Sequence, residues 1–323
     1  MITLEKNFNK KNFLKFLDSI KLKQFNNWPN ILKEDVKYYL NQEMRKQYPG
    51  KYLRVAIYEE EIIAVILAHE LNWDSVHFGF KCYSIKQFLV NQNTSQDIQI
   101  KCIEAILREF ITYATNEKIR FVSISIDSNS PVLSKALQSF KFNYILTWLD
   151  GFIETPIKLN EQVSDLKNFK IDYLEKPELD YFKRLASENY FKGGRFYYDY
   201  LFDVEKVNQM YSSLVENSFS EGNLLFVIRE NDMPVGLFIC KSFVKYFSKI
   251  SVAPLRYLLI DPKYRGKGYG KRLFIMTMRK IGNQVDLITT GFEIHNYISL
   301  NLHKDLGFNF NFSHNVFHFW NNF

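Results

Sequence analysis

Short apolar blocks separated by polar turns run through the chain, and their period changes from block to block. Residues 53–58 and 62–68 read as two strands joined by the turn Glu59-Glu60. Between 98 and 114, Ile98, Cys102, Ala105, Ile106, Phe110 and Tyr113 recur at helical spacing and predict an amphipathic helix. Residues 121–126 predict a strand and 131–140 a short helix, with Pro131 in the first turn where a missing N–H costs nothing. Residues 142–152 predict a further strand.

A polar stretch over 154–170 follows, with Thr155-Pro156, Asn160 and Asp165. It divides the chain into expected domains 1–155 and 156–323. The second half opens with helical material over 179–190. Residues 224–229 and 235–243 form a hairpin about Asn231-Asp232. A strand over 256–260 precedes a helix whose inner face carries Leu273, Phe274, Met278 and Ile281, with Gly282 as its stop. A strand over 285–294, a helix over 296–306 ended by Gly307, and strands over 308–312 and 316–320 complete the reading. The helix-to-strand run from Val132 to Phe142 resembles the run from Ile298 to Phe308. Both halves share a strand–helix–strand–helix–strand order, so the chain reads as two copies of one α/β fold.

Composition agrees with packed domains: 323 residues suffice for about two, and 46% hydrophobic with 24% charged residues excludes disorder for the bulk. Cys82, Cys102 and Cys240 lie far apart, without a C-x-x-C pair, which argues against structural zinc or a redox motif. No signal-like start and no run of ~20 apolar residues is present, so a soluble, cytoplasmic protein is expected. The net charge is +7, and its placement is informative. Lys263, Arg265, Lys267, Lys271, Arg272, Arg279 and Lys280 fall within one acid-free segment. That concentration points to a local anion site, and away from a dispersed nucleic-acid surface.

The segment opens with Arg265-Gly266-Lys267-Gly268-Tyr269-Gly270, between a strand and a helix. Alternate glycines let the backbone approach a ligand closely, and a helix start offers free N–H groups and a favourable dipole to an anion. A phosphate or pyrophosphate is the expected occupant. Gly270-Lys271-Arg272 does not end as a P-loop does, and the glycine spacing departs from a dinucleotide fingerprint.

Leu258-Leu259-Ile260-Asp261-Pro262 running into this loop resembles the acetyl-CoA motif of the GNAT superfamily of N-acetyltransferases. The resemblance covers 224–320. It implies two tandem GNAT-like domains with mixed sheets, the N-terminal one degenerate because it lacks a Gly-rich loop. It also implies main-chain contacts to the pantetheine arm at Leu259 and Ile260, and pyrophosphate bound by backbone N–H groups of Arg265, Gly266, Lys267, Gly268, Tyr269 and Gly270. Asn296 to Phe308 is similar to a second family segment. In it Asn296 caps the helix and touches the cofactor, while His303 stands where the family has a tyrosine that protonates the departing thiolate. An imidazolium, with a pKa near 6.5, has a proton to give. A packed or exposed helix histidine is the alternative.

A narrower resemblance, to dTDP-fucosamine acetyltransferase-like enzymes, rests on the stretch from Leu71 to Phe80, on Arg195-Phe196-Tyr197-Tyr198-Asp199 and on the final strand. It implies sugar-nucleotide contacts at Arg195, Tyr198 and Asp199. The expected activity is acetyl transfer from acetyl-CoA to a primary amine on a nucleotide-linked sugar, with Glu293, His295 or water as the base. No metal, nucleic acid or membrane is expected, and a homodimer is compatible with this reading. The rivals are acetylation of a protein or small amine, and a non-catalytic CoA-binding module. A nucleic-acid binder ranks last.

Overall fold

The computed structural model describes residues 1–20, 24–25, 27–156, 169–188 and 193–321. Most of the expected boundary stretch lies outside these residues. The chain forms two compact units, residues 1–148 with 312–323, and residues 149–311.

The first unit holds β1 (Ile2–Glu5), α1 (Lys10–Asp18), α2 (Lys33–Arg45), β2 (Tyr52–Tyr58), β3 (Glu61–Glu70), α3 (Asn72–Phe78), β4 (Cys82–Val90), α4 (Gln96–Asn116), β5 (Phe121–Asp127) and α5 (Pro131–Ser139). β6 (Asn143–Glu154) crosses the division between units. β1 to β4 pair antiparallel in sequence order, and β4 pairs parallel with β5. Apolar residues of α4, Ile103, Ile106 and Phe110, pack on one side of this sheet. Phe13, Phe16, Leu40 and Met44 from α1 and α2 pack with Val55, Val65 and Leu67 on the other.

The second unit holds β7 (Phe169–Tyr173), α6 (Leu179–Ser187), α7 (Arg195–Tyr198), α8 (Val204–Ser220), β8 (Leu224–Glu230), β9 (Met233–Cys240), β10 (Val244–Tyr246), β11 (Ile250–Ile260), α9 (Tyr269–Ile281), β12 (Leu287–Glu293) and α10 (Tyr297–Asp305). β7, β8, β9 and β11 are antiparallel neighbours, and β11 pairs parallel with β12. Strand alternation separates two cores. Phe226, Ile228 and Phe238 meet α9, whereas Leu225, Val227, Leu237 and Ile239 meet α6 and α8. The hairpin turn falls at Asn231 and Asp232, both with positive φ. Gly282 has φ −64, so backbone conformation there does not require glycine. The two expected final strands are one, β13 (Asn309–Trp320), and its His314–Trp320 portion pairs with β5 of the first unit.

Both units thus follow one path: four antiparallel strands, a helix, a parallel strand and a second helix. The copies share a finer detail. In the first, the β4–β5 register ends at Ile85↔Ile124 and Lys86 is then extra against β3. In the second, the β11–β12 register ends at Pro254↔Thr289 and Arg256 is extra against β9. They differ in the loop that follows. After β4, the Gln99 side chain donates to the carbonyls of Asn91 and Thr94 at 2.8 and 2.9 Å, closing the turn on itself. Asp97 adds negative charge to the first turn of α4.

Candidate active site

Among the described residues, β11 past Pro254 pairs only with β9. The Asp261 N–H donates to the Val235 carbonyl at 3.0 Å, one position beyond the pair Ile260↔Gly236. Antiparallel alternation then turns the main-chain groups of Leu259 toward β9, and those of Leu258 and Ile260 toward β12. Thr290 to Glu293 of β12 have no β11 partner in register. A wedge therefore opens between the two strand ends, edged by main-chain groups of Leu258 and Ile260. The Ile260 carbonyl accepts from Arg265 Nε at 3.1 Å.

The glycine loop follows the end of β11 and leads into α9. Gly266 and Gly268 have φ of +76 and +79, and among the described residues, their chain neighbours aside, no heavy atom lies within 4 Å of where a Cβ would stand. These positions are left-handed and open, which favours glycine and leaves the backbone bare. The first intrahelical bond of α9 runs from Arg272 N–H to the Gly268 carbonyl at 3.1 Å. The Tyr269 and Gly270 N–H groups precede that bond, as the orphan donors of a helix start do. Asp261 anchors the turn: its carboxylate accepts from the Lys263 N–H at 2.9 Å and the Tyr181 hydroxyl at 2.5 Å. The Tyr269 side chain turns inward, its hydroxyl donating to Glu230 at 2.6 Å, so at the loop this residue offers main chain only.

Charge at the loop comes from Lys263, Arg265 and Lys267, all exposed. Arg272 lies over the Phe169 ring, Lys280 over the Tyr173 ring, and Lys271 faces Asp305 at 3.8 Å. The basic run of the sequence is thus shared between the loop and the flanks of its helix.

Asn296 caps α10, its side chain accepting from the Ser299 N–H at 3.1 Å. His303, two turns on, is 4% exposed and packs among Phe274, Phe292 and Phe308. Its Nδ1 lies 2.7 Å from the Ser299 carbonyl, which only accepts, so Nδ1 carries the proton. Nε2 then accepts from the Thr290 hydroxyl at 2.8 Å. Burial pushes the ring pKa down to about 4. At neutral pH this imidazole is uncharged, and its one N–H is committed to Ser299. The acid role expected of His303 therefore lacks a proton to give. The packed-histidine alternative matches the environment.

A second cluster gathers where β12 ends. Glu293 is buried, and burial raises its carboxyl pKa. Gly194, at φ +107, sits so close that a Cβ there would lie 3.5 Å from Glu293 Oε1 and 2.8 Å from the Tyr211 hydroxyl. Tyr211 stacks beside Tyr197 and meets Tyr257 of β11. Tyr198 and His295 are joined by a 2.7 Å hydrogen bond between Oη and Nε2. Of the expected substrate contacts, Tyr198 is exposed and Arg195 lies over the Phe196 ring. Asp199 is buried and accepts from the Leu201 N–H at 3.2 Å, shaping the turn into α8. In α3, Ser75 accepts from the Cys82 N–H at 2.9 Å, a structural use of the Trp73-Asp74-Ser75 stretch. Tyr211, Tyr257 and Thr290 drew no notice in the sequence, since nothing local marks them.

Residues 182–308 match the acetyltransferase (GNAT) family. An uncharacterized N-acetyltransferase of Methanocaldococcus jannaschii is 28% identical over 164 residues, 50% of this chain and 69% of that protein. A tandem GNAT protein from the clavulanic acid biosynthesis pathway superposes over 99% of this chain and 98% of its own, with a TM-score of 0.54 and 10% identity. A GCN5-related glucosamine N-acetyltransferase region in a fungal multi-domain GH3 β-N-acetylglucosaminidase gives a TM-score of 0.62 at 12% identity, over 99% of this chain and 38% of that one. The structural likenesses establish the tandem fold. The matched family segment, residues 182–308, lies within the second unit.

Proposed function

We propose that the second unit transfers the acetyl group of acetyl-CoA to a primary amine, and that the acceptor is the amino group of a nucleotide-linked sugar. The observation that carries the first part is the wedge between β11 and β12 ending at a bare, left-handed glycine turn. A pyrophosphate suits this turn: the backbone is open, the N–H groups of Tyr269 and Gly270 lead α9, and Lys263, Arg265 and Lys267 surround it. Leu258 and Ile260 offer main-chain groups to the pantetheine arm, in place of the expected Leu259. Acetyl-CoA supplies the thioester carbonyl, which an N–H on this edge would polarise.

The amine enters from the side of α7 and α8. Glu293 takes its proton: the carboxyl is buried at the strand end, and its raised pKa brings it closer to the working pH. His295 is exposed and bonded to Tyr198, which suits it to hold α7 in place. Departing thiolate is protonated by solvent or substrate, since His303 is neutral and enclosed.

For the sugar, support comes from the Arg195-to-Asp199 resemblance and from the fold neighbour described as a glucosamine N-acetyltransferase region. Arg195 suits a nucleotide phosphate and Tyr198 a sugar face. A CoA-binding module without turnover is the second reading, favoured by the enclosed His303. Incubation with acetyl-CoA and a panel of amines (nucleotide-linked amino sugars, free amino sugars, polyamines and peptides), followed by mass spectrometry, separates them. Acetylation of the nucleotide-linked sugars above the others supports the proposal. Preference for another class moves the acceptor, and CoA binding with no acetylated amine favours the module.

A further inference from the structure

We infer that Thr290 is a ligand-binding residue of the wedge, its hydroxyl held by His303 so that the oxygen serves as an acceptor for an amide N–H of the pantetheine arm. The inference rests on the acetyl-CoA reading above. Thr289 is the last β12 residue paired with β11, so Thr290 is the first to border the wedge. Its side chain and that of Phe292 point to the α10 side, where Phe292 stacks on His303 at 4.8 Å. Thr290 is half-buried, whereas His303 is enclosed, so of the two it is the threonine that keeps surface open to a ligand.

A free threonine hydroxyl rotates and serves as donor or acceptor. Here the choice is made by the histidine. The Ser299 carbonyl fixes the proton on Nδ1, Nε2 is left with a lone pair, and the Thr290 hydrogen is committed to it. The oxygen keeps both its lone pairs for an N–H donor in the wedge. His303 is thus a positioning residue acting through Thr290. The three rings around it exclude water that would otherwise compete for Nε2.

The test is calorimetric titration of the full chain with CoA, needing no turnover. Thr290→Val keeps the shape and removes the oxygen, and should weaken CoA binding about tenfold, the scale of one lost hydrogen bond. Thr290→Ser should bind within about twofold of wild type. His303→Leu frees the hydroxyl and should weaken binding severalfold. The double variant should bind no more weakly than Thr290→Val alone, because His303 acts only through that oxygen. Should His303→Leu fail to fold, His303→Gln returns an acceptor for the hydroxyl and should keep near-wild-type affinity. Wild-type affinity in Thr290→Val overturns the inference, and additive losses in the double variant overturn the coupling. A wild-type chain that binds no CoA overturns the acetyl-CoA reading instead.

Discussion

Leu137 and His303 hold the same place in two copies of one fold. Each is buried near the end of the second helix, and the carbonyl of each accepts, at 3.0 Å, the N–H of a phenylalanine five residues on, Phe142 or Phe308. Between them the chain turns through Lys141 at φ 64 and Gly307 at φ +84. The second copy has put an imidazole where the first has a core leucine, and has supplied Thr290 and Ser299 as partners for its two nitrogens.

A pH dependence follows from that burial. The folded ring has its pKa lowered to about 4, against about 6.5 in the unfolded chain. The unfolded state therefore binds the extra proton first. The contribution of His303 is fully present above pH ~6.5 and is lost as pH falls from there to about 4, by up to ~3 kcal/mol in all. Denaturant unfolding of wild type and His303→Leu at pH 7 and pH 5 checks this. The variant should lose less stability on acidification, and equal losses would contradict the neutral, enclosed ring.

The glycine turn predicts a contrast between two left-handed positions. Gly268 and Gly222 have φ of +79 and +70, and among the described residues, their chain neighbours aside, neither has a heavy atom within 4 Å of its missing Cβ. Aspartate should strain both backbones alike, by roughly 1–2 kcal/mol. Acetyl-CoA should raise the melting temperature of wild type and of Gly222→Asp, because binding to the folded state stabilises it. Gly268→Asp places a carboxylate at the proposed pyrophosphate site, and its melting temperature should not respond. A normal rise in Gly268→Asp would put the ligand elsewhere.

Much of this was legible in the sequence where the signal is local. The Gly-rich loop, the hairpin at Asn231-Asp232 and the helix-to-strand repeat each occupy consecutive residues. β4 escaped notice because its burial does not alternate cleanly, its register being broken by the extra Lys86. α8 escaped because its few buried residues, Val207, Met210, Val215 and Ser218, are spread among polar ones. β13 read as two strands because Ser313, His314 and Asn315 interrupt its apolar pattern. Its pairing with β5 joins residues almost two hundred apart in sequence, beyond any local pattern. The Glu293 cluster is likewise drawn from α7, α8, β11 and β12. The acid role of His303 is what the family resemblance of Asn296 to Phe308 implies, and position in a motif does not report burial.

The base assignment predicts a pH–rate profile. Activity should rise with pH as Glu293 loses its proton, with a midpoint above the ordinary carboxylate range because burial raises its pKa. Glu293→Gln should lower kcat by ~10²–10⁴ and remove that limb. His295→Ala should keep the limb while loosening Tyr198. The reverse pattern, a limb kept in Glu293→Gln and lost in His295→Ala, would make His295 the base.

Amide hydrogen exchange on the intact chain, with and without acetyl-CoA, tests most directly where the cofactor sits. The account predicts slowed exchange at the main-chain amides from Gly266 to Gly270. It predicts no change over residues 92–97, the corresponding turn of the first unit, which Gln99 closes and Asp97 makes negative. Protection over 92–97, or no protection from Gly266 to Gly270 at saturating acetyl-CoA, would contradict it.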